Sequence, residues 1–252
     1  MKKIVLIIII LLQTNFVSSQ EISKTERIEF EITKIESYDG ENNLERINLF
    51  NKNGDLIKII DGEKEVQKEF IYNNKKQLLK EIRYNSNGKI HNTIKHFYNP
   101  KNQLIKKELT DSDGKTNDFW TFEYNEKNEL FKETKKSETG TNSITEFKYN
   151  NSKLVETFVK NKTIGKESKT TFKYAKNGLL SQKKAKYYFS NTTMTWKYTY
   201  NKKGKLAKLV DKSSNGMKST TKYEYDKNGL LIKESWRGSF SKEDSITNYK
   251  FE

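Results

Sequence analysis

Tyr223-Glu224-Tyr225-Asp226-Lys227-Asn228-Gly229-Leu230-Leu231 carries the plan of the whole chain. Two tyrosines flank a glutamate, so an extended segment here has an aromatic face and a charged face. Asn228-Gly229 accepts the positive φ that a tight hairpin turn demands. The leucines then open a returning strand, which soon becomes charged at Lys233-Glu234.

The same unit recurs along the chain. Its copies are Phe70-Ile71-Tyr72-Asn73, His96-Phe97-Tyr98-Asn99, Phe122-Glu123-Tyr124-Asn125 and Phe147-Lys148-Tyr149-Asn150. Phe172-Lys173-Tyr174-Ala175 and Tyr198-Thr199-Tyr200-Asn201 follow, and each copy precedes a turn and a leucine. The anchor tyrosines stand at 72, 98, 124, 149, 174, 200 and 225, in steps of 25 or 26. Phe50-Asn51-Lys52-Asn53-Gly54 is an earlier, degenerate copy, and Tyr249-Lys250-Phe251 is a closing half-copy. A fixed period of this size is the mark of a repeat architecture.

Each unit reads as two strands and two turns. Trp120, Phe122 and Tyr124 share one parity, as do Met194, Trp196, Tyr198 and Tyr200, while Lys, Glu and Thr take the other. The second turn falls at Asn87-Gly88, Asp113-Gly114, Gly140, Gly165 or Asn215-Gly216. No stretch after Leu12 has sustained helical periodicity. The expected fold is therefore all-β: an antiparallel meander of roughly 17 strands built from hairpin repeats, about 80 Å across if flat. Sheet twist and the aromatic face require coiling, into a spiral, a rolled half-barrel or a closed barrel, and the sequence leaves all three open. Its edges, near Ile28 and Phe251, are expected to be exposed to pairing and self-association.

Tyr223 to Leu231 resembles the tyrosine-aspartate (YD, or RHS-type) repeat, whose pattern is Tyr-x-Tyr-Asp-x-x-Gly-x-Leu. Tyr198 to Leu206 is similar, with Asn201 for the aspartate and Gly204 in place, and the resemblance covers residues 38–252. Asparagine mostly replaces the aspartate, several copies lack the glycine, and the unit is a few residues longer. The resemblance implies a bacterial exported β-repeat shell or scaffold, found in surface proteins and toxin carriers and sometimes linked to carbohydrate binding. No catalytic residue belongs to that repeat.

The N-terminus sets the expected compartment. Lys2 and Lys3, nine apolar residues from Ile4 to Leu12, and Val17-Ser18-Ser19 read as a secretory signal peptide over residues 1–19. A single β-repeat domain over 20–252 remains after cleavage, with no transmembrane helix, because the apolar core is too short to span a bilayer. The chain has no cysteine, so disulfides, thiol catalysis and cysteine metal sites are absent, which fits a bacterial envelope protein better than a eukaryotic secreted one. Only 33% of residues are apolar and 32% are charged, yet 14 Tyr, 14 Phe and 3 Trp argue against disorder. The net charge of +15 comes from lysine, spread along strands as solubility and edge protection rather than as the arginine forks of a nucleic-acid reader.

Chemistry-bearing patterns are sparse. His91 and His96 lie five apart on a strand and point to opposite faces, and His96 fills a slot that Phe or Tyr holds elsewhere. Asp111-Ser112-Asp113-Gly114 resembles the start of a calcium loop but sits where the repeat needs its second turn. No Gly-x-Ser-x-Gly elbow and no phosphate loop occur, so neither enzyme activity nor a metal or cofactor is expected. The candidate ligand contacts are Trp120 and Trp196, each four residues before an anchor tyrosine, and Trp236 on a return strand. Packing across strands explains them as readily as stacking on a sugar ring.

The leading expectation is an exported, non-enzymatic scaffold or binding module, with cell-surface polysaccharide or envelope protein as its partner class. The alternatives are an accessory or immunity component of a contact-dependent toxin system, which rests on the family resemblance, and an outer-membrane β-barrel. The barrel alternative conflicts with polar strand middles such as Lys218-Ser219-Thr220-Thr221-Lys222.

Overall fold

The computed structural model describes residues 22–140, 142–163 and 165–252. The expected signal peptide therefore lies outside the described residues. A short helix, α1 (Lys24–Glu29), precedes β1 (Lys34–Tyr38), β2 (Leu44–Phe50), β3 (Leu56–Asp61) and β4 (Val66–Tyr72). The chain continues with β5 (Leu78–Tyr84), β6 (Ile90–Tyr98), β7 (Leu104–Asp111), β8 (Thr116–Tyr124) and β9 (Leu130–Ser137). Next are β10 (Ser143–Asn150), β11 (Lys153–Asn161), β12 (Glu167–Tyr174), β13 (Leu180–Tyr187) and β14 (Thr192–Tyr200). The last four are β15 (Leu206–Ser213), β16 (Lys218–Tyr225), β17 (Leu231–Gly238) and β18 (Ser245–Phe251).

All eighteen strands pair antiparallel with their neighbours in sequence, and β18 pairs with β1, so the meander closes into a barrel. Ile35 faces Phe251 and Ser37 faces Tyr249 across the closing seam. This corrects the expectation of free edges near Ile28 and Phe251: Phe251 is paired, and Ile28 belongs to α1. Closure removes the edges altogether. A circular ring of this many tilted strands measures roughly 35 Å across its backbone, too wide for side chains to fill.

The repeat explains the ring. Each anchor tyrosine except Tyr149, which Asn150 follows, ends a strand, and the turn after it leads to the leucine directly across the ladder, as Tyr72 pairs with Leu78 and Tyr225 with Leu231. The Asn after the anchor closes that turn. Asn73 Oδ1 accepts from the N–H of Lys75 (2.9 Å) and Gln77 (3.0 Å), and Asn125 does the same for Lys127 and Glu129. The third residue past the Asn has positive φ; it is Gly54, Gly204 or Gly229 in some copies but Lys76, Asn102 or Asn128 in others. Lysine and asparagine adopt that conformation here, which is why the glycine is missing from several copies.

The anchor hydroxyls form a second ladder. Tyr98 donates to the Leu78 carbonyl (3.0 Å), Tyr124 to Leu104 (2.9 Å), Tyr174 to Leu154 (2.8 Å) and Tyr200 to Leu180 (2.8 Å). Tyr72 and Tyr225 donate in the same way to Leu56 and Leu206. Six of the seven tyrosine-anchored units, all but that of Tyr149, are thereby tied to the one before them, which accounts for Tyr rather than Phe at those anchors.

The ninth unit is split between the chain ends, with β18 as its first strand and β1 as its second. Phe251 takes the anchor slot and Ile35 the leucine slot, but no turn joins them. The N–H groups of Thr33 and Lys34 instead donate to the Glu252 carbonyl at 2.7 and 2.8 Å. Helix α1 occupies the space of the missing turn. A capping box of Ser23 and Glu26 starts it, and Ile22 and Ile32 on either side pack with Ile35, Phe50 and Leu230. Lys24 pairs with Asp55 and Glu26 with Lys205, while Arg27 stacks 4.4 Å over the Phe50 ring. Gly54 serves both needs here: its φ is +69°, and a Cβ would lie 3.1 Å from Ile28 Cγ1 and from the Lys24 carbonyl.

Candidate functional site

The two faces of the wall differ. On β16, Ser219, Thr221 and Tyr223 are buried while Lys218, Lys222 and Glu224 are exposed. On β14, Trp196, Tyr198 and Tyr200 are half-buried while Lys197 and Thr199 are exposed. Side chains converge on the concave side of a closed sheet, so the aromatic face is the inner one. The outer wall carries cross-strand ion pairs such as Lys58–Glu69 (2.9 Å), Lys132–Glu123 (2.8 Å) and Lys169–Glu156 (2.7 Å).

The inner wall is not purely aromatic. Across from the aromatic two residues before each anchor lies a second inward position, three residues after the leucine. Phe70 faces Glu81, His96 faces Lys107, Phe122 faces Glu133, Phe172 faces Lys183 and Tyr223 faces Glu234. In the two remaining full units this position holds Thr157 and Leu209. Equivalence of the repeats sets these side chains at one level, as an interrupted charged belt on the lumen.

Simple alternation assigns these residues to the outer face. A β-bulge at each anchor changes the count: the register shifts between Ile71 and Tyr72, leaving Leu79 unpaired, exposed and outward. Parity counted from the leucine is then wrong by one, and Glu81, Lys107, Glu133, Lys183 and Glu234 turn inward. The readable signal was the regular recurrence of charge at this offset.

Burial sets the electrostatics of the belt. It pushes the carboxyls of Glu133 and Glu234 above the usual carboxylate range. It also pulls Lys107 and Lys183 below the usual lysine range, although Glu133 and Glu81 partly offset this for Lys107. Burial acts on Glu81 too, but the Arg83 hydrogen bond (2.7 Å) and the nearby Lys68 outweigh it and keep the carboxyl low. His96 is held down to about 4 by burial and by Lys107 beside it, and its Nδ1 is buried without a hydrogen bond. It is a neutral ring in an aromatic slot, while His91 on the same strand is exposed.

The three tryptophans all face inward but do not form one cluster. Trp120 on β8 lies between two lysines, Lys107 Nζ at 4.9 Å and Lys135 Nζ at 5.1 Å from its ring centre. Trp196 on β14 has Lys183 Nζ at 4.5 Å. Trp236 on β17 is 40% exposed and packs beside Gly238 at the far end of the barrel, the end away from the anchors. Lys135 is paired with Asp118 (2.8 Å), whereas Lys183 has no carboxylate partner among the described residues. An indole beside a partly desolvated ammonium can stack on a ring and hold an anionic substituent together.

Asp111 is committed to its turn: its carboxylate accepts from the N–H of Asp113 (3.1 Å) and Lys115 (2.9 Å) and from Asn117 (3.1 Å). Among the described residues, no three His, Cys, Asp or Glu side chains gather as a metal site.

No family model matches the chain, and no curated protein matches it in sequence. Among solved structures it is similar to a porin-like protein from Bacteroides uniformis, with 18% identity, 88% of this chain and 96% of that one covered, and a TM-score of 0.48. It is also similar to the Photorhabdus luminescens Tc holotoxin pore, with 12% identity and a TM-score of 0.43, over 80% of this chain but 13% of that one. A porin-like protein from Bacteroides vulgatus is similar at 9% identity and a TM-score of 0.39, over 88% of this chain and 98% of that one.

Proposed function

We propose that the chain is an exported, non-enzymatic binding barrel that holds a sugar chain or similar ring-bearing polymer along its inner wall. The observation that carries this reading is the pairing of Trp120 with Lys107 and Lys135, and of Trp196 with Lys183, on the inner side of a closed ring too wide for its side chains to fill. Ring faces recognise the apolar faces of sugars, and the lysines favour acidic ones.

Titration with neutral and acidic envelope polysaccharides, read by tryptophan fluorescence, tests the proposal. Saturable quenching by an acidic polymer, weakened in Trp196→Phe and Lys183→Gln, is the expected result. Unchanged fluorescence across the panel contradicts it.

A second reading, a barrel seated in an outer membrane, draws on the closed antiparallel ring. The outward residues of β14 to β17 weigh against it, since Lys197, Lys208, Lys212, Lys222 and Lys233 stand among threonines. A lysine at a bilayer midplane costs about 2–4 kcal/mol. Solubility of the folded chain without detergent separates the two readings.

A further inference from the structure

The nine far-end turns are not alike. Those joining β1 to β2, β3 to β4, β5 to β6 and β7 to β8 carry only Gly, Asn, Ser, Asp, Glu and Lys. Three successive turns on the other side carry large apolar side chains in the open: Tyr188 and Phe189 after β13, Met217 before β16 and Phe240 after β17. Their exposures are 46%, 56%, 51% and 88%. Turn geometry asks for none of these residues, because the polar turns close equally well.

The three tips form one platform. Ser214 N–H donates to the Thr193 carbonyl (2.8 Å), and Thr193 N–H donates to Ser214 Oγ (3.0 Å), which ties the first tip to the second. Ser239 Oγ accepts from Lys218 N–H (2.7 Å) and donates to its carbonyl (2.8 Å), which ties the second to the third. Cations border the apolar groups. Lys166 lies 4.8 Å over Phe189 and Lys186 lies 5.2 Å over Tyr188, while Lys212 and Lys218 face each other across β15 and β16. Of the nearby acids, Asp244 is paired with Arg237 and Glu167 with Lys160, and Glu243 shares its tip with Lys242.

We propose that this face docks the barrel on an anionic lipid surface, with the apolar tips entering the headgroup region and the lysines meeting lipid phosphates. Aromatic and apolar groups on a short rigid edge suit the bilayer interface, and the surrounding cations supply attraction to negative headgroups. The barrel then stands or leans on its far end, with the anchor end and α1 away from the lipid.

The test is co-sedimentation of the purified chain with phosphatidylcholine vesicles and with vesicles that also contain phosphatidylglycerol. Binding to the anionic vesicles alone, falling as salt rises, is expected. The triple variant Phe189→Ser, Met217→Ser, Phe240→Ser is expected to lose roughly tenfold or more in affinity. Its melting temperature should stay at the parent value, since these side chains are already exposed. Lys186→Gln with Lys218→Gln should weaken binding without removing the response to the triple variant. Failure to bind anionic vesicles leaves the face to a protein partner and overturns the proposal. Equal binding to both vesicle types, or a triple variant that binds like its parent, overturns it as well.

Discussion

Seven of the nine anchors are tyrosines, but the two that flank β1, Phe50 and Phe251, are not. Through the body of the barrel, successive strands are joined by a covalent turn, and tyrosine hydroxyls tie neighbouring units. At the seam there is no turn and neither flanking anchor has a hydroxyl. Helix α1 takes over with an apolar cluster that includes Phe50 and Leu230, and with the Lys24–Asp55 and Glu26–Lys205 pairs, which reach the β2–β3 and β14–β15 turns. Joining ends more than two hundred residues apart costs about 3 kcal/mol more in chain entropy than joining the ends of a five-residue turn. The short N-terminal segment is therefore part of the closure rather than an appendage.

Removing residues 245–252 should have the largest effect. The seam and both its ladders disappear, edges open on β17 and β1, and the expected outcome is loss of the cooperative melt and aggregation on size-exclusion chromatography. A truncated chain that melts as a monomer near the parent temperature would show that closure matters little.

Within the body, Tyr174→Ala should cost about 2–3 kcal/mol, a partly buried version of the usual aromatic deletion. Tyr174→Phe removes only the bond to the Leu154 carbonyl and should cost about 1 kcal/mol. Equal losses in urea melts would place all the energy in the hydroxyl, and a negligible loss in Tyr174→Ala would mean that this face is not buried.

His96 offers a pH test of the aromatic slot. Its folded pKa, about 4, lies below its ordinary value of 6.5, so the unfolded chain binds the proton first. Stability should fall as pH drops from 6.5 towards 4, by about 1–2 kcal/mol once solvent screening is allowed for. His96→Phe restores the residue type of the sibling units and should flatten that part of the profile, with a gain at pH 5 larger than at pH 8.

The smallest expected effect is Glu26→Gln at the seam, about 1 kcal/mol after screening. Burial raises the Glu26 pKa, but hydrogen bonds from Lys205 and Ser23 outweigh it and leave it lowered. Its contribution is present above the ordinary carboxylate range and is lost as pH falls through the lowered folded value. Melts at pH 7 and pH 3 should therefore differ less in the variant than in the parent.

Much of this architecture was legible in the sequence. The tyrosine spacing gave the units, alternation in segments such as Trp120-Thr121-Phe122 gave the inner face, and the count of roughly 17 strands was one short. Closure was hidden because the ninth unit is divided, with Phe251 at one terminus and Ile35 at the other, and β1 lacks the tyrosine-leucine signature. The six residues of α1 are too few to show helical periodicity. The inward charges at Lys107, Glu133 and Lys183 escaped because the bulge shifts parity by one. Trp120 and Trp196 were legible as rings on the aromatic face, but the lysines stacked on them were not, since those contacts cross between strands.

The closed ring is the central claim, and an intramolecular bridge across the seam tests it most directly. Glu36 and Lys250 face each other on β1 and β18, and the chain has no native cysteine to interfere. In Glu36→Cys with Lys250→Cys, mild oxidation should form a disulfide within one monomer in high yield, because paired strand positions fall within bridging range. In an open sheet the two positions would lie up to about 80 Å apart. Free thiols or only intermolecular dimers after oxidation would contradict closure.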